Sequence, residues 1–265
     1  VGEITAAGGK AIANYDTVAT SEGGEAIIEA AMRAFGRVDI VISNAGNQRN
    51  GFFGELSGDD VEAVLAVHLK GAFHVCQPAY RQMKRQGYGR LVLVSSQSGI
   101  FGNPVRANYG AAKTGLIGLM NVIAQEAPEG ISVNCLFPNA GGGRLGGTPL
   151  AERPDQDFLK AAGERSRHYA ASMKPEFVAP MGTYLASREC NTSQNMYSVL
   201  GGKYSRLFVG LTHGWFTPDA QAPTAEDIFQ NLDLIDSRSE YDVPLSGLDE
   251  MDTAIAARKR AGLSE

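Results

Sequence analysis

The fold of this chain is decided by the stretch Val38-Asp39-Ile40-Val41-Ile42-Ser43-Asn44-Ala45-Gly46. It begins with an apolar run that is typical of a strand buried on both faces of a parallel sheet. Small and polar residues follow at once, as they do in the turn that ends such a strand. The stretch therefore predicts a βα unit of an α/β protein.

Helices and strands alternate around this stretch at the spacing of βα units. Periodicity predicts helices over residues 21–35, 59–85 and 108–127, and apolar runs predict strands over residues 90–95, 131–137 and 196–200. Residues 1–7 have the pattern of a helix end stopped by Gly8 and Gly9, and residues 10–15 that of a short strand. The alternation predicts a doubly wound parallel sheet of Rossmann type, covered on both faces.

The domain organisation follows from a change of character after the last of these strands. Residues 1–202 are predicted to form one dinucleotide-binding and catalytic domain, with a lid over the substrate at about residues 141–171. Residues 203–265 are expected to be a C-terminal extension packed on the same domain. Within it, the patterns predict a strand over residues 204–211 and helices over residues 224–234 and 248–259.

Composition excludes several classes of function. The chain has 265 residues, of which 43% are hydrophobic, so it is long enough for one large domain with a substantial core. Its net charge of −5 gives no reason to expect a nucleic acid or an anionic membrane as partner. Its three cysteines are far apart without a C-x-x-C spacing, so they are expected to be core residues and no metal site is predicted.

Polar turns follow three of the predicted strands. They are Ser43-Asn44-Ala45-Gly46, Ser95-Ser96 and Pro138-Asn139-Ala140-Gly141. Ligands of doubly wound proteins bind at the carboxyl ends of the strands, where such turns meet. We therefore expect one binding site along this edge of the sheet.

Tyr109 and Lys113 supply the chemistry expected at that edge. Four residues apart in a predicted helix, they share one face. A phenol has an ordinary pKa near ~10, and an ammonium held close to it favours the phenolate. Ser96, thirteen residues before Tyr109, could hold an alcohol or carbonyl oxygen beside them. The group suits carbonyl–alcohol redox chemistry, whereas a surface tyrosine beside a solvated lysine is the simpler alternative.

These motifs together resemble one family, the short-chain dehydrogenases/reductases, over roughly residues 1–202. The matching residues are Asn44-Ala45-Gly46, Ser96, Tyr109-x-x-x-Lys113 and the turn at Pro138. The resemblance implies an NAD(P)-dependent oxidoreductase that interconverts a secondary alcohol and a ketone. It further implies that Tyr109 is the general base or acid, that Ser96 binds the substrate oxygen, and that Lys113 also holds the nicotinamide ribose.

The resemblance also implies which residues bind the cofactor. Asp16 and Thr17 resemble the family's adenine-contacting turn. The resemblance assigns to the adenosine side of the cofactor Asn44, Ala45 and Gly46. It assigns to the nicotinamide side Pro138, Ala140 and Gly141. The implied cofactor is NAD, and NADP stays open as an alternative.

One part of the family pattern, its N-terminal βαβ portion with the glycine-rich phosphate loop, is missing from this chain. Without it the sheet would lack its central first strand and expose unpaired backbone groups. We therefore expect about fifty further residues upstream in the natural protein, the usual length of that unit. A non-catalytic homologue that lacks a cofactor site is the alternative interpretation.

Within the family, several stretches resemble the (3R)-hydroxyacyl-CoA dehydrogenase module of peroxisomal multifunctional β-oxidation enzymes and their bacterial relatives. They are residues 8–16, 67–71, 99–103, 138–141 and 174–180. This resemblance implies a 3-hydroxyacyl-CoA-like substrate, with a ketone or steroid as the alternative. His68 stands where many relatives place an asparagine of a proton relay, so it is either a catalytic member of that relay or a core imidazole.

Assembly and location follow from the same resemblance. Relatives form dimers or tetramers through two long helices, which correspond to residues 59–85 and 108–127. A homodimer or homotetramer is therefore expected. The chain ends in Leu263-Ser264-Glu265, which is not a peroxisomal address, so a cytoplasmic protein that acts on a small molecule is the expectation.

Overall fold

The computed structural model describes residues 1–140, 155–217, 222–260 and 262. The chain divides into two compact units, Val1–Arg206 and Leu207–Glu265. The assignment of residues 1–202 to a catalytic domain and of residues 203–265 to an extension stays a prediction. Each unit is described by itself below.

A five-stranded sheet forms the centre of the first unit, in the order β1-β2-β3-β4-β5. The strands are β1 Ile40–Ser43, β2 Gly89–Val94, β3 Ile131–Asn139, β4 Asn195–Leu200 and β5 Lys203–Leu207. The strands β1 to β4 pair in parallel, so that Val92 lies between Ile42 and Asn134. The predicted parallel sheet with flanking helices is confirmed.

Eight α-helices lie in the described part of this unit. They are α1 Gly2–Ala6, α2 Ser21–Phe35, α3 Gly58–Leu65, α4 Gly71–Gln86, α5 Ser98–Phe101, α6 Ala107–Glu126, α7 Gln156–Ser166 and α8 Ala179–Ala186. Helix α2 has the predicted limits because Thr20 caps its first turn and Gly36 ends it with a φ of 76°. The long helix predicted over residues 59–85 is interrupted by a π-helical turn, Ala66–Lys70, between α3 and α4.

Helices cover both faces of the sheet. Cys135 of β3 directs its Sγ at the carbonyl oxygen of Leu116 in α6, 3.7 Å away. The next residue, Leu136, packs in a buried cluster with Leu185 of α8. Because successive residues of a strand point to opposite faces, α6 and α8 lie on opposite sides of the sheet.

Two expectations about the amino-terminal part are wrong. Residues 10–15 form no strand and are mostly exposed, because within the described residues no neighbouring strand pairs with them. Strand β1 is not buried on both faces, since Val41 is 7% exposed but Ile40 and Ile42 are 46% and 50% exposed. Among the described strands, β1 pairs with β2 alone, so it lies at an edge of the sheet.

The second unit contains a short antiparallel pair, β6 Leu211–Thr212 and β7 Tyr241–Asp242. Its described helices are α9 Ala225–Gln230, α10 Leu232–Ile235 and α11 Gly247–Arg260. The strand expected over residues 204–211 is thus divided between β5 and β6, and the helix expected over residues 224–234 is two helices. Among the helices that the structure describes, none has the length and apolar character needed to cross a bilayer.

Helices α2 and α4 come very close together at Gly24. A Cβ added to Gly24 would lie 2.4 Å from the carbonyl oxygen of His74. Pro78 comes four residues after His74 inside α4 and has no N–H to donate to that carbonyl. Glycine therefore packs against a carbonyl that the helix itself leaves open, and this contact fixes α4 against α2.

Replacement of this glycine tests the contact. Gly24→Ala is expected to lower the free energy of unfolding by about 1–3 kcal/mol, because the methyl group would overlap the His74 backbone. Gly163→Ala in α7 is the control, since an added Cβ there meets nothing within 4 Å. The control should gain stability by about 0.5–1 kcal/mol, the usual preference for alanine in a helix. Urea unfolding compares the two, and equal stabilities would contradict the close approach.

Candidate active site

Lys113 is a buried cation at the centre of the candidate site. It lies on α6, is 4% exposed, and donates from Nζ to the carbonyl oxygen of Val94 at 2.6 Å. Burial lowers the pKa of Lys113 to about 8, and the neighbouring Cys135 opposes that change. Lys113 therefore changes charge within the pH range in which enzymes ordinarily work.

Tyr109 lies one helical turn before Lys113 on α6 and is half-buried. The Nζ of Lys113 is 5.6 Å from the centre of the Tyr109 ring. An ammonium at this distance from an aromatic face is attracted to it. The structure thus places the two side chains together, and their catalytic roles stay predictions.

His68 packs against the same tyrosine from the π-helical turn. The two rings are 5.0 Å apart between centres and nearly perpendicular, at 89°. The Nε2 of His68 lies 2.8 Å from the backbone oxygen and 3.1 Å from the backbone nitrogen of Asn47. Its Nδ1 is buried and has no hydrogen-bond partner among the described residues.

The environment of His68 keeps the imidazole neutral. Burial, and then the charge of Lys113, lower the pKa of His68 to about 4, and the bond to the Asn47 backbone opposes this. Whichever tautomer is present, the buried Nδ1 has no hydrogen-bond partner among the described residues. A neutral imidazole in this position can both accept and donate a proton.

Gly46 makes room for this imidazole. A Cβ added to Gly46 would lie 2.7 Å from the Cε1 of His68. The side chain of the next residue, Asn47, donates from Nδ2 to the carbonyl oxygen of Ala63 at 2.7 Å. The turn after β1 is therefore fixed against α3 and the π-helical turn, which gives Gly46 a reason to be glycine that does not depend on a cofactor.

Ser96 is half-buried in the turn after β2. Its Oγ accepts the backbone N–H of Ser98 at 3.2 Å. The following segment lies along α6, because Thr114 donates from Oγ1 to the carbonyl oxygen of Gly99. Ser96 therefore belongs to a loop that runs beside the helical turn of Tyr109 and Lys113.

The residues expected to bind the cofactor fall into three places. Asn44 and Ala45 are exposed directly after β1, and Pro138 and Ala140 are half-buried at the end of β3. Gly141 lies outside the described residues, as do residues 142–154 of the lid expected at residues 141–171, whereas residues 155–171 are described and contain α7.

Asp16 and Thr17 lie in a separate exposed turn before α2. The N–H of Asp16 donates to Oδ1 of Asn14 at 2.9 Å, and the Oγ1 of Thr17 accepts the N–H of Ala19 at 3.1 Å. These bonds shape a local turn. None of the described contacts joins that turn to Tyr109 or Lys113.

Two residues that organise the site were not among those predicted to do so. Asn108, 3% exposed, donates from Nδ2 to the carbonyl oxygens of Arg49 and Asp60 and thereby ties the start of α6 to α3. Ser95 was named only as part of a polar turn, and its Oγ donates to the carbonyl oxygen of Lys113 at 2.8 Å. The sequence did contain a signal for this role. Ser95 stands next to Ser96 at a strand end, where neighbouring side chains point to opposite faces, so Ser95 must point away from the side that Ser96 faces.

Comparisons with known proteins agree with this geometry. The sequence profile of the family described as short chain dehydrogenase matches residues 1–143. A short-chain type dehydrogenase/reductase of Mycobacterium tuberculosis is 43% identical over 208 residues, which are 78% of this chain and 67% of the relative. Peroxisomal multifunctional enzyme type 2 of Mus musculus is 38% identical over 237 residues, or 89% of this chain.

A solved structure extends the likeness to the fold. The full-length peroxisomal multifunctional enzyme type 2 of Drosophila melanogaster superimposes with a TM-score of 0.78 at 29% identity and covers 98% of this chain. The chain spans 43% of that protein and 30% of the mouse enzyme. The resemblance drawn from the motifs is confirmed, and the chain belongs to the short-chain dehydrogenase family of oxidoreductases.

Proposed function

We propose that this chain catalyses the reversible oxidation of a secondary alcohol to a ketone with a nicotinamide cofactor. The observation that carries the proposal is the buried ammonium of Lys113, held below the ring of Tyr109 at the carboxyl edge of a parallel sheet. This edge is where ligands bind in doubly wound proteins. Membership of a dehydrogenase family supports the reaction type.

The residues present fit the nicotinamide ribose. An ammonium has three N–H donors, and among the described residues that of Lys113 uses one, toward Val94. The other two can donate to ribose hydroxyls. We assign Asp16, Thr17, Asn44, Ala45 and Gly46 to the adenosine side and Pro138, Ala140 and Gly141 to the nicotinamide side. NAD is the proposed cofactor.

Each catalytic side chain then has one task. Tyr109 accepts the proton of the substrate hydroxyl at its Oη during oxidation and returns it during reduction. Lys113 stabilises the phenolate that forms. Ser96 accepts the N–H of Ser98, which leaves its own O–H to hold the substrate oxygen. When bound, the nicotinamide supplies the hydride chemistry, by taking up the hydride of the alcohol carbon.

His68 is proposed to receive the proton that leaves Tyr109. Its ring stands against that of Tyr109, and its buried Nδ1 has no partner among the described residues. Because the imidazole is neutral, its Nδ1 can accept this proton, and because the pKa of His68 is about 4, the imidazolium then releases the proton to solvent water rather than hold a charge beside Lys113. The neutral state of His68 also makes the free energy of unfolding depend on pH.

The proposed substrate is a 3-hydroxyacyl-CoA. The resemblance of several stretches to the (3R)-hydroxyacyl-CoA dehydrogenase module supports this choice. The segments after β1 and β2 also present apolar side chains, since Phe53 is 86% exposed and Phe101, the last residue of α5, is 71% exposed. Such surface suits an acyl chain, and it also suits the rings of a steroid, which is the second candidate.

We further propose a homodimer or homotetramer through α3, α4 and α6. Phe73 of α4 and Val122 of α6 are 40% and 55% exposed, which supplies apolar surface on these helices. The hydroxyl of Tyr80 in α4 donates to the carbonyl oxygen of Glu126 at the end of α6, 3.0 Å away. The two helices thus present a joined surface to a second copy.

Removal of the phenolic hydroxyl tests the reaction. Tyr109→Phe is expected to lower kcat/KM by roughly 10²–10⁴-fold, the usual contribution of general acid–base catalysis. Tyr241→Phe removes the same group from an exposed tyrosine of the second unit and should stay within about twofold of the unchanged protein. Cofactor reduction followed at 340 nm measures both. Undiminished turnover by Tyr109→Phe would overturn the proposed function.

A substrate panel separates the two substrate classes. A 3-hydroxyacyl-CoA is expected to be oxidised with kcat/KM at least about tenfold higher than a steroid or simple cyclic alcohol, because its chain gains apolar contacts. Each substrate is assayed with NAD and with NADP. The acyl-CoA assignment fails if only the ring alcohols are turned over.

The neutral state of His68 predicts a pH-dependent stability. Its pKa is about 4 when folded against 6.5 ordinarily, so below pH 6.5 the unfolded chain binds a proton that the folded chain refuses. Stability contributed by the neutral imidazole is present above pH 6.5 and is lost as the pH falls toward 4. His68→Asn should therefore lose less stability between pH 7 and 5 than the unchanged protein, by on the order of 1–2 kcal/mol.

Urea unfolding at the two pH values measures this difference. His168→Asn, which changes an exposed imidazole, serves as the control and should follow the unchanged protein. The same loss in all three proteins would mean that His68 is protonated as readily in the folded state as in the unfolded chain.

A further inference from the structure

Lys113 is held at both of its ends by consecutive residues of one chain segment. The Oγ of Ser95 donates to the backbone oxygen of Lys113 at 2.8 Å, and the Nζ of Lys113 donates to the backbone oxygen of Val94 at 2.6 Å. The N–H of Ser95 donates in turn to Leu136 of β3 at 2.8 Å. Ser95 thus joins the sheet to α6 at the level of the lysine.

The bond from Ser95 to the backbone oxygen of Lys113 is not part of the regular hydrogen bonding of the helix. Inside an α-helix a carbonyl is already the acceptor of the N–H four residues later, so the bond from Ser95 is an additional one. Ser95 is 2% exposed, which means that water does not substitute for either partner without rearrangement. The bond fixes how far the Lys113 backbone lies from the carbonyl that its own ammonium must reach.

A lysine side chain needs such an anchor. It has four rotatable bonds and loses up to ~2 kcal/mol of conformational entropy when it is ordered. With its backbone fixed by Ser95 and its Nζ fixed by Val94, few rotamers of Lys113 can satisfy both bonds. Loss of the first bond lets the helical turn shift and weakens the second.

We propose that Ser95 is a positioning residue of the dehydrogenase reaction, whose hydroxyl holds the turn of α6 so that the ammonium of Lys113 lies below the Tyr109 ring. This role rests on the proposed function. Ser95 does not touch substrate or cofactor in this scheme. It acts through Lys113 alone.

Among the described residues, three titratable groups lie beside Lys113, on three elements. They are Tyr109 on α6, His68 on the π-helical turn and Cys135 on β3. Burial is the largest cause of the lowered pKa of Lys113. If the turn shifts in a Ser95 variant and water reaches the ammonium, that pKa rises toward its ordinary value of 10.5.

The experiment compares two serines of the same loop in the complete protein. Ser95→Ala removes the bond to α6. Ser98→Ala removes a hydroxyl that is also buried, at 5% exposed, and that accepts from Asn103 without contacting Lys113, and it keeps the backbone N–H that Ser96 accepts. Ser95→Thr keeps the hydroxyl and should therefore retain most of the activity and the lysine titration of the unchanged protein. If Ser95→Ala does not fold, Ser95→Cys takes its place, since a thiol of similar size donates a weaker bond.

Two readouts are measured. In ¹³C-lysine-labelled protein without cofactor, the NMR titration of Lys113, assigned with Lys113→Arg, should shift upward by about one pH unit in Ser95→Ala and stay unchanged in Ser98→Ala. In turnover, kcat should fall about tenfold in Ser95→Ala, with the KM of the alcohol within about twofold, because the loss lies in the transition state. Ser98→Ala should keep both constants.

The outcomes distinguish this role from the proposed function. An active protein whose Ser95→Ala variant keeps the lysine titration and kcat of the unchanged protein overturns the positioning role alone. A loss of melting temperature in both alanine variants, without the lysine shift, also overturns it, since Ser95 would then be merely structural. If the unchanged protein oxidises no alcohol, the proposed function falls and the positioning role falls with it, whatever the titration shows.

Discussion

The site depends on one interaction, the ammonium of Lys113 held inside the protein against the backbone oxygen of Val94. A buried charge is costly unless polar groups compensate it, and among the described contacts the compensating group is a neutral carbonyl. This incomplete compensation is why the pKa of Lys113 falls to about 8. In the proposed reaction, the phenolate that forms on Tyr109 supplies the negative charge that stabilises this cation. The end of β2 at Val94 and the position of Lys113 on α6 together determine the chemistry proposed for the site.

The second layer of the site follows from the same charge. A second cation beside Lys113 would be unfavourable, and His68 is kept neutral by burial and by that charge together. Its place against Tyr109 requires the π-helical turn of residues 66–70 and the missing side chain of Gly46. Irregular helical turns of this kind are frequent at functional sites. The imidazole of His68 thus packs closely against Gly46, and burial together with the charge of Lys113 keeps it neutral.

Sequence patterns predicted the regular parts of the fold well, because capping and periodicity are local. Helix α2 was placed to the residue, since Thr20 and Gly36 define its ends chemically. The π-helical turn was not predicted, because the periodicity of residues 59–85 indicated one continuous helix. The strand expected at residues 10–15 failed because a strand forms only beside a partner. Within the site, the pairing of Tyr109 with Lys113 could be inferred from their spacing. The bond from Ser95 to Lys113 could not, because it depends on the direction in which the Ser95 side chain points at the end of β2.

The same contrast explains why the reaction is easier to infer than the substrate. Lys113, His68 and Ser95 are buried, and each is held by bonds or packing that tolerate little change. The apolar side chains of Phe53 and Phe101 are exposed, and the stability of the fold does not depend on them. Selection for a new substrate can alter these exposed segments without disturbing the buried lysine, so the proposed catalytic residues are compatible with an acyl chain or with a ring system.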